Sequence, residues 1–184
     1  MTRTFSIFFF IFFNGLFAQE LKLDNISAGA GINIFIPKND LGKFWKAKVN
    51  PVLSLKYEIS KSIAIETEAG FSKFKPKENK TGFPDIDLMV LSAGLRLAEY
   101  PAEFVYLFAS GGIKSYTFYF KGSNAAVSGN NPSESEFGFY FSGGLGFLIY
   151  KNISAETSFG IQNIFSYPES LIMLNSRILL FYRL

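Results

Sequence analysis

The stretch IAIETEAGF, residues 63–71, has a counterpart in ISAETSFGI, residues 153–161. In the first, Ile63, Ile65, Thr67, Ala69 and Phe71 alternate with Ala64, Glu66, Glu68 and Gly70. In the second, Ile153, Ala155, Thr157, Phe159 and Ile161 alternate with Ser154, Glu156, Ser158 and Gly160. A period of two belongs to a β-strand, whose successive side chains point to opposite sides of a sheet. Both stretches follow a tight polar turn, Ser60-Lys61-Ser62 and Tyr150-Lys151-Asn152. The likeness reads as that of strands in one sheet rather than as a duplication. It is useful because it fixes which residues share a face.

Outward from these two stretches, the alternation predicts eight strands, at about 25–36, 48–59, 63–74, 86–97, 104–119, 137–149, 153–165 and 172–184. Their connections differ by turns. Residues 60–62, 98–103 and 150–152 are tight, whereas 37–47, 75–85, 121–136 and the shorter 166–171 are longer and polar. Short turns at one end and long loops at the other are the arrangement of outer-membrane barrels. The predicted fold is therefore all-β, an eight-stranded antiparallel up-and-down transmembrane β-barrel formed by residues 19–184. If Ile59 pairs with Ile63 across the first turn, Lys56 stands opposite Glu66, within reach of an ion pair.

Residues 1–18, MTRTFSIFFFIFFNGLFA, read as a signal peptide: Arg3, an apolar run from Phe5 to Phe13, then Ala18 before polar Gln19. That run is shorter than the ~20 residues a spanning helix needs. The mature chain then carries 17 basic and 15 acidic side chains, 17 − 15 = +2, a balance that suggests no nucleic-acid partner. It has no cysteine, which excludes a diacylated lipoprotein, disulfides and thiol chemistry.

A charge facing acyl chains costs up to ~2–4 kcal/mol for Lys or Arg at mid-membrane, and less for Glu. Glu66, Glu68 and Glu156 should therefore face the lumen. Their face is otherwise small and polar, as in Ser27, Gly29, Gly31, Asn33, Ser142, Gly144 and Gly146. A water-facing exterior would be ~25–35% charged. The opposite face, with Ile26, Ala28, Ala30, Leu53, Leu55, Met89, Leu91 and Leu95, suits lipid. Aromatic residues near strand ends are expected to form interfacial girdles: Phe35, Phe71, Phe74, Tyr116, Phe118, Phe137 and Phe165 near the long loops, and Tyr57, Phe104, Tyr106, Phe147 and Tyr182 near the short turns.

Over essentially its whole mature length the chain resembles the small bacterial outer-membrane barrels of the OmpA-like and OmpX-like family. Its final strand, RILLFYRL at 177–184, resembles the C-terminal signal read by the barrel-assembly machinery, with Ile178, Leu180 and Tyr182 alternating. Leu184 departs from the family's terminal Phe or Trp. The resemblance implies outer-membrane lipid and that machinery as partners. With no residues after the eighth strand, the peptidoglycan-binding domain that some members carry is expected to be absent.

The sequence offers little for catalysis. It contains no histidine, so a serine nucleophile would have to rely on Lys or a carboxylate. No Asp-rich calcium loop is evident. Glycine runs such as Ser110-Gly111-Gly112 lack the lysine and helix of a phosphate loop and read as close-packed strand. No catalytic, metal or cofactor site is expected. The two candidate sites are a lumen charge network, Lys56, Glu58, Glu66, Glu68, Arg96, Lys114, Glu156 and Arg183, and anionic-lipid contacts in the first two loops, Lys43, Trp45, Lys46, Lys75 and Lys77. The leading functional reading is a non-enzymatic barrel with a structural or surface-interaction role through its extracellular loops. The alternatives are a narrow ion or small-solute channel and a soluble lipocalin-like binding barrel.

Overall fold

The computed structural model describes residues 23–78, 83–121, 133–166 and 170–184. The expected signal peptide at 1–18 and residues 122–132 of the third long loop lie outside the described residues. Eight strands follow one another around a closed ring, each hydrogen-bonded to its sequence neighbours. They are β1 Ile26–Pro37, β2 Lys48–Ser60, β3 Ile63–Phe74, β4 Asp85–Ala102, β5 Val105–Lys121, β6 Ser133–Tyr150, β7 Ile153–Phe165 and β8 Leu171–Arg183. β8 closes on β1 in antiparallel register from Ser27↔Arg183 to Pro37↔Met173. Closure leaves no unpaired sheet edge, the condition for strands to cross a bilayer.

The exterior fits that setting. Leu53 and Phe141 are more than 60% exposed, and Leu55, Leu91, Leu95, Ile113, Phe159, Ile178 and Leu180 share the same outer face. Surrounding water would be costly to such a surface, and lipid is not. Inside lie Ser27, Asn33, Ser54, Glu66, Ser92, Lys114, Ser142 and Glu156, all buried. A soluble binding barrel needs these faces reversed, so the lipocalin-like alternative fails.

Three features differ from the sequence expectation. First, β4, β5 and β6 have 18, 17 and 18 residues, against 12 or 13 in the other strands. Ser133–Glu136, expected in a loop, pair with Tyr116–Tyr119, and the Thr117 and Ser135 hydroxyls share a 3.3 Å hydrogen bond. Polar side chains do not stop a strand where its partner continues and water receives them.

Second, residues 98–102 belong to β4, and the turn contracts to Glu103-Phe104. Pro101, which has no N–H to give a ladder, falls where the register shifts between Glu99 and Ala102. Third, Lys56 does stand opposite Glu66, but Ile59 does not face Ile63. A bulge between Glu58 and Ser60 sets Ser60 there instead.

Candidate functional site

The lumen-facing residues of β3 run upward from the short turns as Ala64, Glu66, Glu68, Gly70, Ser72 and Phe74, and those of β7 as Ser154, Glu156, Ser158, Gly160, Gln162 and Ile164. β3 and β7 are four strands apart in a ring of eight, so they face each other across the barrel. The two similar sequence stretches thus place Glu66 and Glu156 at equivalent heights on opposite walls. Arg96 of β4 bridges them: its Nη1 donates to Glu66 Oε2 at 3.3 Å and to Glu156 Oε2 at 2.9 Å.

Other charges complete the network. Lys56 Nζ donates to Glu156 Oε1 at 2.6 Å, and Tyr106 Oη donates to the same oxygen at 2.6 Å. Arg177 Nη1 donates to Glu66 Oε1 at 3.1 Å, lies against Glu68, and its Nε donates to Ser158 Oγ at 2.9 Å. Lys114 Nζ reaches Glu68 Oε2 at 3.4 Å. Each of these ionised residues is at least 93% buried, and a buried ion without a partner is strongly destabilising.

Aromatic rings pad the network. The Arg96 guanidinium lies 3.6 Å from the Phe108 ring centre, and Lys56 Nζ 3.5 Å from that of Phe181, both cation–π placements. Two lumen glycines make room: a Cβ on Gly29 would strike the Phe181 ring, and one on Gly146 the Tyr106 ring.

Toward the long loops the filling changes character. Phe35, Phe74, Ile86, Leu88, Val90, Tyr116, Phe118, Ile164 and Met173 form one buried apolar cluster. The Tyr116 hydroxyl is satisfied by Gln162 Oε1 at 2.7 Å. The first loop contains a six-residue helix, α1 Asn39–Phe44, which places Leu41 in this cluster. So short a helix carries no readable period, and its tertiary contact supports it.

The filling of the lumen corrects the expected girdles. Phe35, Phe74, Tyr116, Phe118 and Tyr106 are buried inside the barrel rather than facing lipid. Each shares lumen parity with its strand's polar residues, and in a strand parity decides the face. Phe71, Phe137, Phe165, Phe104, Phe147 and Tyr182 do lie on the outside.

The predicted site residues divide accordingly. Lys56, Glu66, Glu68, Arg96, Lys114 and Glu156 come together in the lumen. Glu58 and Arg183 pair with each other at the partly exposed short-turn rim, outside the buried network, because both sit at strand ends. Lys56 stands opposite Glu66 on the lumen face as expected, and its ion pair is with Glu156. Arg177 was missed, although its alternation with Ile178 and its parity with Leu179 and Phe181 point inward.

In the loops, Trp45 Nε1 donates to the Pro84 carbonyl at 3.3 Å, Lys77 Nζ donates to the Gly42 carbonyl at 2.6 Å, and Lys46 pairs with Glu78 at 2.7 Å. That pairing, chiefly through its hydrogen bond, holds the exposed Glu78 carboxyl below the usual carboxylate range. Phe44 stacks on Phe83 with ring centres 4.4 Å apart, and Trp45 meets Phe83 edge-on at 5.8 Å. The first and second loops are thus clasped together over the plug. Lys43 and Lys75 are exposed beside them.

No protein-family model and no curated protein matches the sequence. Solved structures do match in fold. Neisserial surface protein A is 10% identical, with a TM-score of 0.68 over 87% of this chain and 97% of that one. The attachment invasion locus protein Ail of Yersinia pestis, solved with the heparin analogue sucrose octasulfate, is 18% identical, with a TM-score of 0.61 over 86% and 97%. The outer membrane protein OprG of Pseudomonas aeruginosa is 11% identical, with a TM-score of 0.61 over 85% and 94%. With its lipid-facing belt, this chain has the fold of the small bacterial outer-membrane β-barrels.

Proposed function

We propose that this protein is a non-enzymatic outer-membrane barrel with a sealed lumen, acting at the cell surface through its clasped first and second loops. The apolar plug carries this reading. Ten buried side chains, including Leu41 from the first loop, fill the loop end of the lumen. Eight strands leave an interior that side chains can fill, so a water-filled path through this end has no room. The charges below are satisfied mainly by one another, as befits structural ion pairs rather than a proton relay. Residues 1–18 serve as the cleaved export signal, and the last strand presents the alternation that the assembly machinery reads.

The loops supply the contact surface. Lys43, Lys46 and Lys75 are exposed beside the partly exposed Phe44, Trp45 and Phe83. Lysines next to aromatic rings suit the anionic headgroups and upper acyl chains of surrounding surface lipid. Trp45 is the chain's single tryptophan, so its emission reports on this cluster alone. In mixed micelles, rising phosphatidylglycerol content should shift that emission. Replacing Lys43, Lys46, Lys75 and Lys77 by Gln should leave heat-modifiable gel migration intact and weaken the lipid response, most at low salt where screening is least. An unchanged response at low salt would make these lysines a solvated rim.

A further inference from the structure

The two similar stretches share one more feature: a lysine two residues before the first isoleucine, Lys61 before Ile63 and Lys151 before Ile153. Because β3 and β7 oppose each other, these turn lysines stand on opposite sides of the short-turn mouth. Between them opens a cavity of about 490 Å³, within the range of small-molecule sites. Its wall includes Lys56, Lys61, Arg96, Lys151 and Arg183, but only one carboxylate, Glu58.

Some of these cations are occupied. Lys56 and Arg96 share Glu156, and Arg183 pairs with Glu58. Lys61 lies over the Tyr100 ring at 5.3 Å, and among the described residues neither Lys61 nor Lys151 has a carboxylate within ion-pair distance. The network under the floor adds to the imbalance. Lys56, Arg96, Lys114 and Arg177 face Glu66, Glu68 and Glu156, so 4 − 3 leaves one positive charge. A cleft of one sign with low-dielectric walls concentrates counter-ions. The plug closes the far end, making the cavity a blind cup that opens toward the short turns, the periplasmic side of an outer-membrane barrel.

We propose that this cup binds a small periplasmic ligand bearing carboxylate or phosphate groups, held by Lys61 and Lys151 at the rim above Arg96 and Lys56. The site is separate from the loop contacts proposed above. Calorimetric titration of the full chain, refolded in zwitterionic detergent, tests it with citrate and inorganic pyrophosphate as probes. Saturable binding of one probe per barrel is expected, and whichever binds tighter tells a carboxylate source from a phosphoryl one. The double variant K61Q/K151Q, altered only in exposed turns, should keep heat-modifiable migration and bind about tenfold more weakly, with the wild-type affinity falling as salt rises. K43Q/K46Q, at the opposite end, should bind like the wild type. No saturable binding of either probe, or equal losses in the two double variants, would overturn the proposal.

Discussion

Toward the loops the lumen is filled by Phe35, Leu41, Phe74, Leu88, Phe118 and Met173; below them it is filled by Lys56, Glu66, Arg96, Glu156 and Arg177. Both halves exclude bulk water, by different means. The apolar half gains from contact and transfer, which fade gradually as atoms are removed. The ionic half depends on partners, because each carboxylate there serves more than one cation. Glu156 alone receives Lys56, Arg96 and Tyr106. The upper half should therefore respond to volume and the lower half to charge.

The largest effect should come from the ionic half. Glu156→Gln keeps the shape but strips Lys56 and Arg96 of their shared carboxylate. Removing one partner of a buried pair costs about 3–5 kcal/mol. Urea unfolding followed by heat-modifiable migration should show a loss of that size. A loss no greater than that of an exposed substitution would mean that water already screens the network.

Leu88→Ala tests the plug. Leu88 is fully buried, and its truncation should cost about 3 kcal/mol by the same assay. Leu88→Met, which nearly conserves volume, should cost less than about 1.5 kcal/mol. Equal losses for the two would contradict a volume-governed upper half.

The smallest effect belongs to the loop clasp. Glu78 is held charged by Lys46, so its contribution is present above the ordinary carboxylate pKa and is lost as pH falls through the lowered value. In Lys46→Gln, an NMR titration of the Glu78 carboxyl should return to the ordinary carboxylate range, with barrel stability unchanged. An unmoved titration would show that the Lys46 contact is absent in solution.

The contrast between the halves also marks what the sequence could disclose. Strict alternation made β3 and β7 readable at both ends and placed Glu66, Glu68 and Glu156 inside. For Phe35, Phe74, Tyr106, Tyr116 and Phe118 parity competes with closeness to strand ends, which favours girdles, and parity decides. Four of them belong to the plug and Tyr106 reaches Glu156 in the ionic half, and all five share parity with lumen residues such as Ser27, Glu66 and Ser110. Arg177 is harder to see, because the alternation of its strand also matches an assembly signal. The Lys56–Glu156 pair lay beyond sequence reading: the two residues are 100 positions apart, and only barrel closure brings them together. The seating of Leu41 likewise depends on a loop helix too short to leave a pattern.

Conductance across a planar bilayer tests the sealed lumen most directly. Purified full-length protein should insert and give no steady single-channel current, because the residues from Phe35 to Met173 leave no continuous wet path at the loop end. Steady unitary currents that change with Glu66→Gln or Lys56→Gln would contradict the account and make the barrel a narrow channel.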